Sequence, residues 1–143
     1  MNQDSIRLLN ECHYGAQMAV SAIDAIMEDV ESNAMREHLE TCLHLHEAVE
    51  KDAAAALNRA GIRAKTPGMM TRKMAQVKSD MRMAVHPTDS KAAALMTDGC
   101  NSGTKMLAKQ LNRRSNADVQ AREIARRLIG IEDRTVTGLR PYL

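Results

Sequence analysis

Residues 32–61 read SNAMREHLETCLHLHEAVEKDAAAALNRAG. Met35, Leu39, Cys42, His46, Val49, Ala53 and Leu57 recur at intervals of three and four, the spacing that gathers them on one stripe of an α-helix. Ser32 or Asn33 offers a side-chain oxygen to the backbone N–H groups left open at the start of that helix, and Gly61 is the residue type that tolerates a left-handed terminus. Upstream, Leu9, Ala16, Val20, Ile23, Met27 and Val30 keep the same spacing and predict a first helix over about 3–30, with the second over 33–60. Only Glu31 to Asn33 lie between them, so the two must fold back as an antiparallel hairpin.

Downstream, GIRAKTP at 61–67 breaks the pattern, and Pro67 is allowed in the first turn of a new helix. The Met-rich, basic run MMTRKMAQVKSDMRMAV predicts that helix over about 68–85, stopped at His86 because the Pro87 ring disfavours helical geometry before it. Thr88 or Asp89 opens a helix over 89–113, with Ala92, Leu95, Met96, Gly99, Gly103, Met106 and Leu107 on its apolar side. Gly99 and Gly103 there read as a site of close backbone approach between helices. Asn116, or alternatively Ser115, opens the last helix over 116–138, with Ala117, Ala121, Ile124, Leu128, Ile131 and Thr135 on one face. Two hairpins joined by about 28 residues suit a bundle whose long connection crosses from end to end. With seven Gly and three Pro in 143 residues, 44% hydrophobic and 27% charged, the chain is expected to be one all-α domain spanning 1–143.

The net charge of +2 conceals a segregation: residues 1–58 carry eleven acids and three bases, 59–86 one acid and seven bases, and 87–143 six acids and ten bases. The two halves are expected to attract each other, and the same polarity could guide self-association. Two Tyr, no Phe and no Trp supply no stacking platform, so a nucleic-acid partner is not expected. No apolar run is long enough for a membrane span, the opening MNQDSIRLLNECHYG has neither a basic leader nor an apolar signal core, and Cys12, Cys42 and Cys100 form no CxxC pair. A cytoplasmic protein is the expectation.

YGAQMAVSAID at 14–24, the acidic second helix ending in LNRAGI, KAAALMTDGCNSGTKML at 91–107 and LIGIEDRTVTGLRPYL at 128–143 together resemble a group of bacterial ferritin-like bundle proteins of unknown function, over nearly the whole chain. The resemblance implies a ferritin-like four-helix bundle with an additional crossover helix between helices two and three. In the wider superfamily, a dinuclear metal site takes Glu from two helices and Glu-x-x-His from each of the other two. Here Glu40 and His44 are one residue too far apart, Glu123 is followed three later by Arg126, and the remaining helices offer Gln17 and Asp98 or Asn101. The resemblance therefore implies the fold without the iron-bridging carboxylates, and ferroxidase, peroxidase or oxygenase chemistry is not expected.

The residues still permit one polar constellation. On the two stripes of the first hairpin, His13 falls opposite about residue 50, so His13, His46 and Glu50 come within about a turn of one another, with Cys42 on the same face. Imidazole, carboxylate and thiolate are ligands for a single transition metal such as zinc, iron or copper. The competing reading makes His13 and His46 core-edge histidines bonded to Glu50, a carbonyl or Gln110, and Cys42 a small buried hydrophobe. Cys12 and Cys100 read as peripheral. Met70, Met74 and Met81 with Lys73 and Lys78 could dock a protein partner or an anionic surface, or cover the bundle itself. Arg113, Arg114, Arg126 and Arg127 read as a solvated face. The sequence thus points to a non-catalytic, self-associating bundle with a structural or binding role; a metal-binding bundle and an interaction module are the alternatives.

Overall fold

A computed structural model describes residues 1–64 and 88–143. Its elements are α1 (Gln3–Met27), α2 (Asn33–Arg59), α3 (Asp89–Arg113) and α4 (Val119–Leu139), ending in a 3₁₀ turn, Arg140–Tyr142. The helix expected over 68–85, with Met70, Lys73, Met74, Lys78 and Met81, lies outside the described residues. Among the described residues there is no strand, and no helix is long and apolar enough to cross a membrane.

Local chemistry accounts for the helix boundaries. Asn2, Ser32, Thr88 and Asp118 each accept a bond from the backbone N–H three residues on, which satisfies a donor that a helix start leaves open. Ser32 and Thr88 are caps expected from the sequence. The last helix starts later than expected, because Asp118, rather than Asn116 or Ser115, bonds Ala121 N while its own amide donates to Ser5 Oγ at 2.8 Å. Gly61 has φ 74°, and Gly61 N and Ile62 N donate to Asn58 O and Leu57 O, closing α2 with paired bonds around a left-handed glycine. The first helix stops at Met27, short of residue 30, yet Val30 remains buried beneath the turn.

Contacts at the two ends fix the connectivity. At one end, the Asp89 carboxylate accepts from Glu31 N at 2.9 Å and Ser32 N at 3.0 Å, so α3 begins where α2 begins. At the other, Asn2 Nδ2 donates to Asn116 O at 2.6 Å, and Ile62 and Ala64 pack beside Leu8, Leu9 and Leu57. Residues 64 and 88 therefore lie at opposite ends of the bundle, α3 runs parallel to α2, and α4 runs parallel to α1.

The core forms two apolar clusters, one around Ile23, Ile26, Met35, Leu39, Met96 and Leu139, the other around Leu8, Leu9, Val49, Leu57, Ile124 and Leu128. The whole expected α2 stripe and the whole expected stripe of the last helix are buried. On α1, Val20 and Met27 are only half-buried, whereas Leu8, Cys12, Ala19, Ala22 and Ile26 are buried. The cause is that α1 touches all three other helices, so its buried surface is wider than a single stripe. The same packing encloses Cys12, 0% exposed, and Cys100, 1% exposed, both expected at the periphery. Across the helices, the acidic first hairpin and basic second hairpin pair at Asp52–Arg127, 2.6 Å, and Asp4–Arg114, 3.9 Å.

Candidate functional site

His46 and Glu132 occupy the level at which one apolar cluster gives way to the other. His46 is 0% and Glu132 3% exposed, and they face each other from α2 and α4, His46 Nε2 to Glu132 Oε1 at 3.9 Å. His46 Nδ1 lies 2.7 Å from the Cys42 carbonyl and so carries the proton that it donates there. That leaves the Nε2 lone pair aimed toward Glu132 without a hydrogen-bond partner among the described residues. Burial pushes the Glu132 carboxyl up to about 8 and holds His46 below its ordinary value. At neutral pH the pair is therefore a carboxylic acid beside a neutral imidazole rather than an ion pair.

Glu132 also meets α3. The Cys100 thiol hydrogen-bonds to its carboxyl, and a Cβ added at Gly103 would stand 2.9 and 3.2 Å from its two oxygens. The acid presses against the α3 backbone at the one residue type that leaves room for it. Gly99, a turn earlier, has nothing within 4 Å of an added Cβ. The pair thus does not bring two helix backbones together, the role that its spacing suggests: Gly99 faces open space and Gly103 seats the Glu132 side chain of α4. Both glycines line a cleft of about 350 Å³ between α1 and α3. Met18, Ala19, Ala22, Met96, Met106 and Leu107 make its walls apolar, Tyr14 and Glu11 enter from α1, and Glu132 and Cys100 close its floor. Met106, expected in the core, is 45% exposed because it stands on the rim of this opening. Close approach between helices occurs instead at Gly138, where an added Cβ would overlap the His38 ring, which bonds the Thr135 carbonyl at 3.1 Å.

The residues expected to gather around a metal divide into separate sets. His13 and Glu50 meet, Nε2 to Oε1 at 4.0 Å, although burial outweighs the nearby carboxylate and lowers the His13 pKa. His46 turns away toward Glu132, and Cys42 lies under the His38 ring, its sulfur 3.6 Å from Nε2. Among the described residues, no three His, Cys, Asp or Glu side chains converge on a point suited to a cation. The thiols of Cys12, Cys42 and Cys100 are free, and burial pushes each pKa upward, Cys12 to about 12, so each stays protonated at neutral pH.

The metal-ligand spacing singles out Glu123 in the last helix and not Glu132. The signal was present: Leu128, Glu132, Thr135 and Leu139 follow one another at four, three and four residues, and all are buried. An acid on that line is an ionisable group inside an apolar stripe. Compared with protein-family models, with curated proteins and with solved structures, the chain matches none.

Proposed function

We propose that this chain is a non-catalytic, ferritin-like bundle that binds one small, largely apolar molecule in the cleft between α1 and α3. The parallel course of α2 and α3, with residues 64 and 88 at opposite ends, supports the ferritin-like connectivity. The observation that carries the binding role is an apolar cleft of about 350 Å³ with a buried acid on its floor. That combination of apolar walls and a few fixed polar groups is what orients a small ligand, and the volume lies in the usual range for such sites. The buried thiols stay protonated and the His46–Glu132 pair is neutral, so the site offers hydrogen bonds and shape rather than an activated nucleophile.

The test uses N-phenyl-1-naphthylamine, an uncharged probe that fluoresces when it leaves water. Saturable enhancement with one site per chain is expected. Gly99→Leu should lower the probe's affinity at least tenfold, since the new side chain grows into open space in the cleft. The same substitution removes a helix-interior glycine, a gain of about 1 kcal/mol in helix propensity, so the folded state should not be weakened. Unchanged probe binding in a folded Gly99→Leu variant would remove the cleft from consideration.

A further inference from the structure

We infer that the ligand of this cleft is a hydrophobic amine, its ammonium head paired with the Glu132 carboxylate and its hydrocarbon body lying along Met18, Met96 and Met106. The inference rests on the cleft being a ligand site and adds the chemical class. Among the described lining residues there are two carboxyl groups, Glu11 and Glu132, and no cationic side chain. Glu11 has the Arg114 guanidinium near enough to favour its charged form, but among the described residues Glu132 has no lysine or arginine partner. Among the described residues it is the acid of the cleft that no cation accompanies.

A cation delivered by the ligand answers it. A carboxylate ligand would bring a third acid to two already present, and an alcohol would gain one neutral hydrogen bond while Glu132 kept its proton. An alkylammonium supplies three N–H donors and a charge on a slim head group, and charge-assisted bonds to a carboxylate are about twice as strong as neutral ones. The walls suit the remainder of such a molecule, because thioether side chains adapt their shape to an unbranched or aromatic body. Among the described residues, the titratable groups facing Glu132 are Cys100 from α3 and His46 from α2, with Asp133 beside it on α4 and Glu11 and Tyr14 across the cleft on α1. None of them brings a positive charge at neutral pH.

The pairing has a proton signature. Unliganded Glu132 titrates at about 8, so ~0.9 of it is protonated at pH 7 and the ammonium must displace that proton to bulk water. Calorimetric titration of the whole chain with 1-heptylamine, repeated in phosphate and in HEPES, measures the release directly. Expected are one site, release of ~0.9 proton per amine bound, and affinity at least tenfold above that for 1-heptanol, with heptanoate weaker still. Glu132→Gln should cut amine affinity at least tenfold, abolish the proton release and leave naphthylamine-probe binding intact. Equal binding of amine and alcohol, amine binding without proton release, or an unaltered amine affinity in folded Glu132→Gln would overturn the inference. Probe binding with no amine binding would sink the ligand class alone, whereas failure of both would sink the cleft as a site.

Discussion

Replacing Glu132 by Gln should stabilise the folded chain, by an amount that grows with pH. In the unfolded chain this carboxyl ionises near 4.5, whereas in the folded chain, 3% exposed, it keeps its proton up to about 8. Between those values the folded state binds more protons than the unfolded state, so stability falls as pH rises, by about 1.4 kcal/mol per pH unit. Integrated to neutrality the penalty is about 3 kcal/mol, and above pH 8 it levels off at about 5 kcal/mol. Gln occupies nearly the same volume, still accepts from the Cys100 thiol and has no charge to desolvate at any pH. The difference between variant and parent should therefore be near zero at about pH 4.5, climb through neutrality and flatten above about pH 8.

His13 and His46 act in the opposite sense. Burial holds both below 6.5, so the unfolded state takes up more protons on their account at acid pH, and their contribution to stability is regained as pH rises toward 6.5. Both histidines are present in parent and variant, so they largely cancel in the difference curve even though they bend each individual curve. Urea unfolding followed by far-ultraviolet circular dichroism, from about pH 5 to about pH 9, measures both curves, and equal m-values would show that the unfolded states are comparable. Parallel curves would mean that Glu132 is ionised in the fold. That result would refute the neutral acid on which the cleft's electrostatics depend.

Two further substitutions probe the frame around the site. Asp89→Ala removes the carboxylate that accepts from Glu31 N and Ser32 N, and should cost about 1–2 kcal/mol in urea unfolding, with Asp89→Asn recovering part of the loss. Gly138→Ala adds helix propensity but drives a Cβ into the His38 ring and breaks its bond to the Thr135 carbonyl, so a net loss of about 1–2 kcal/mol is expected. A double-mutant cycle with His38→Ala should recover most of that loss; additive effects would show that the contact is not the cause.

Periodicity and capping made much of the frame legible. The stripes at Met35–Leu57 and Ala117–Thr135, the caps at Ser32 and Thr88 and the left-handed Gly61 all follow from local rules, because a helix's own backbone imposes them. The approach of His13 to Glu50 was legible too, since a tight hairpin fixes the register of its two helices. What failed depended on which helices touch. The Gly99–Gly103 spacing is the same whether a helix backbone, a side chain such as that of Glu132 or open space lies opposite, and only the third dimension decides. Cys12 and Cys100 are buried because α1 packs against three helices and α3 against the Glu132 side of α4, relations that no single stripe records. Glu132 was hidden by its neighbour Ile131, which is also buried and satisfies the periodic pattern without it.

Three locally unfavourable choices meet at one place. Gly99 and Gly103 each lower helix propensity by about 1 kcal/mol relative to Ala, and burial of the Glu132 carboxyl, which raises its pKa, is expected to weaken the fold at neutral pH. A bundle selected for stability alone would be served by Ala at both glycines and by Leu at 132, which would narrow the cleft and remove its acid. The departures are also mutually dependent: Gly103 leaves room for the acid, and Gly99 leaves open the space above it. Unfavourable choices scattered along a chain need no common cause. The convergence of these three on one cleft is what the proposed ligand site accounts for.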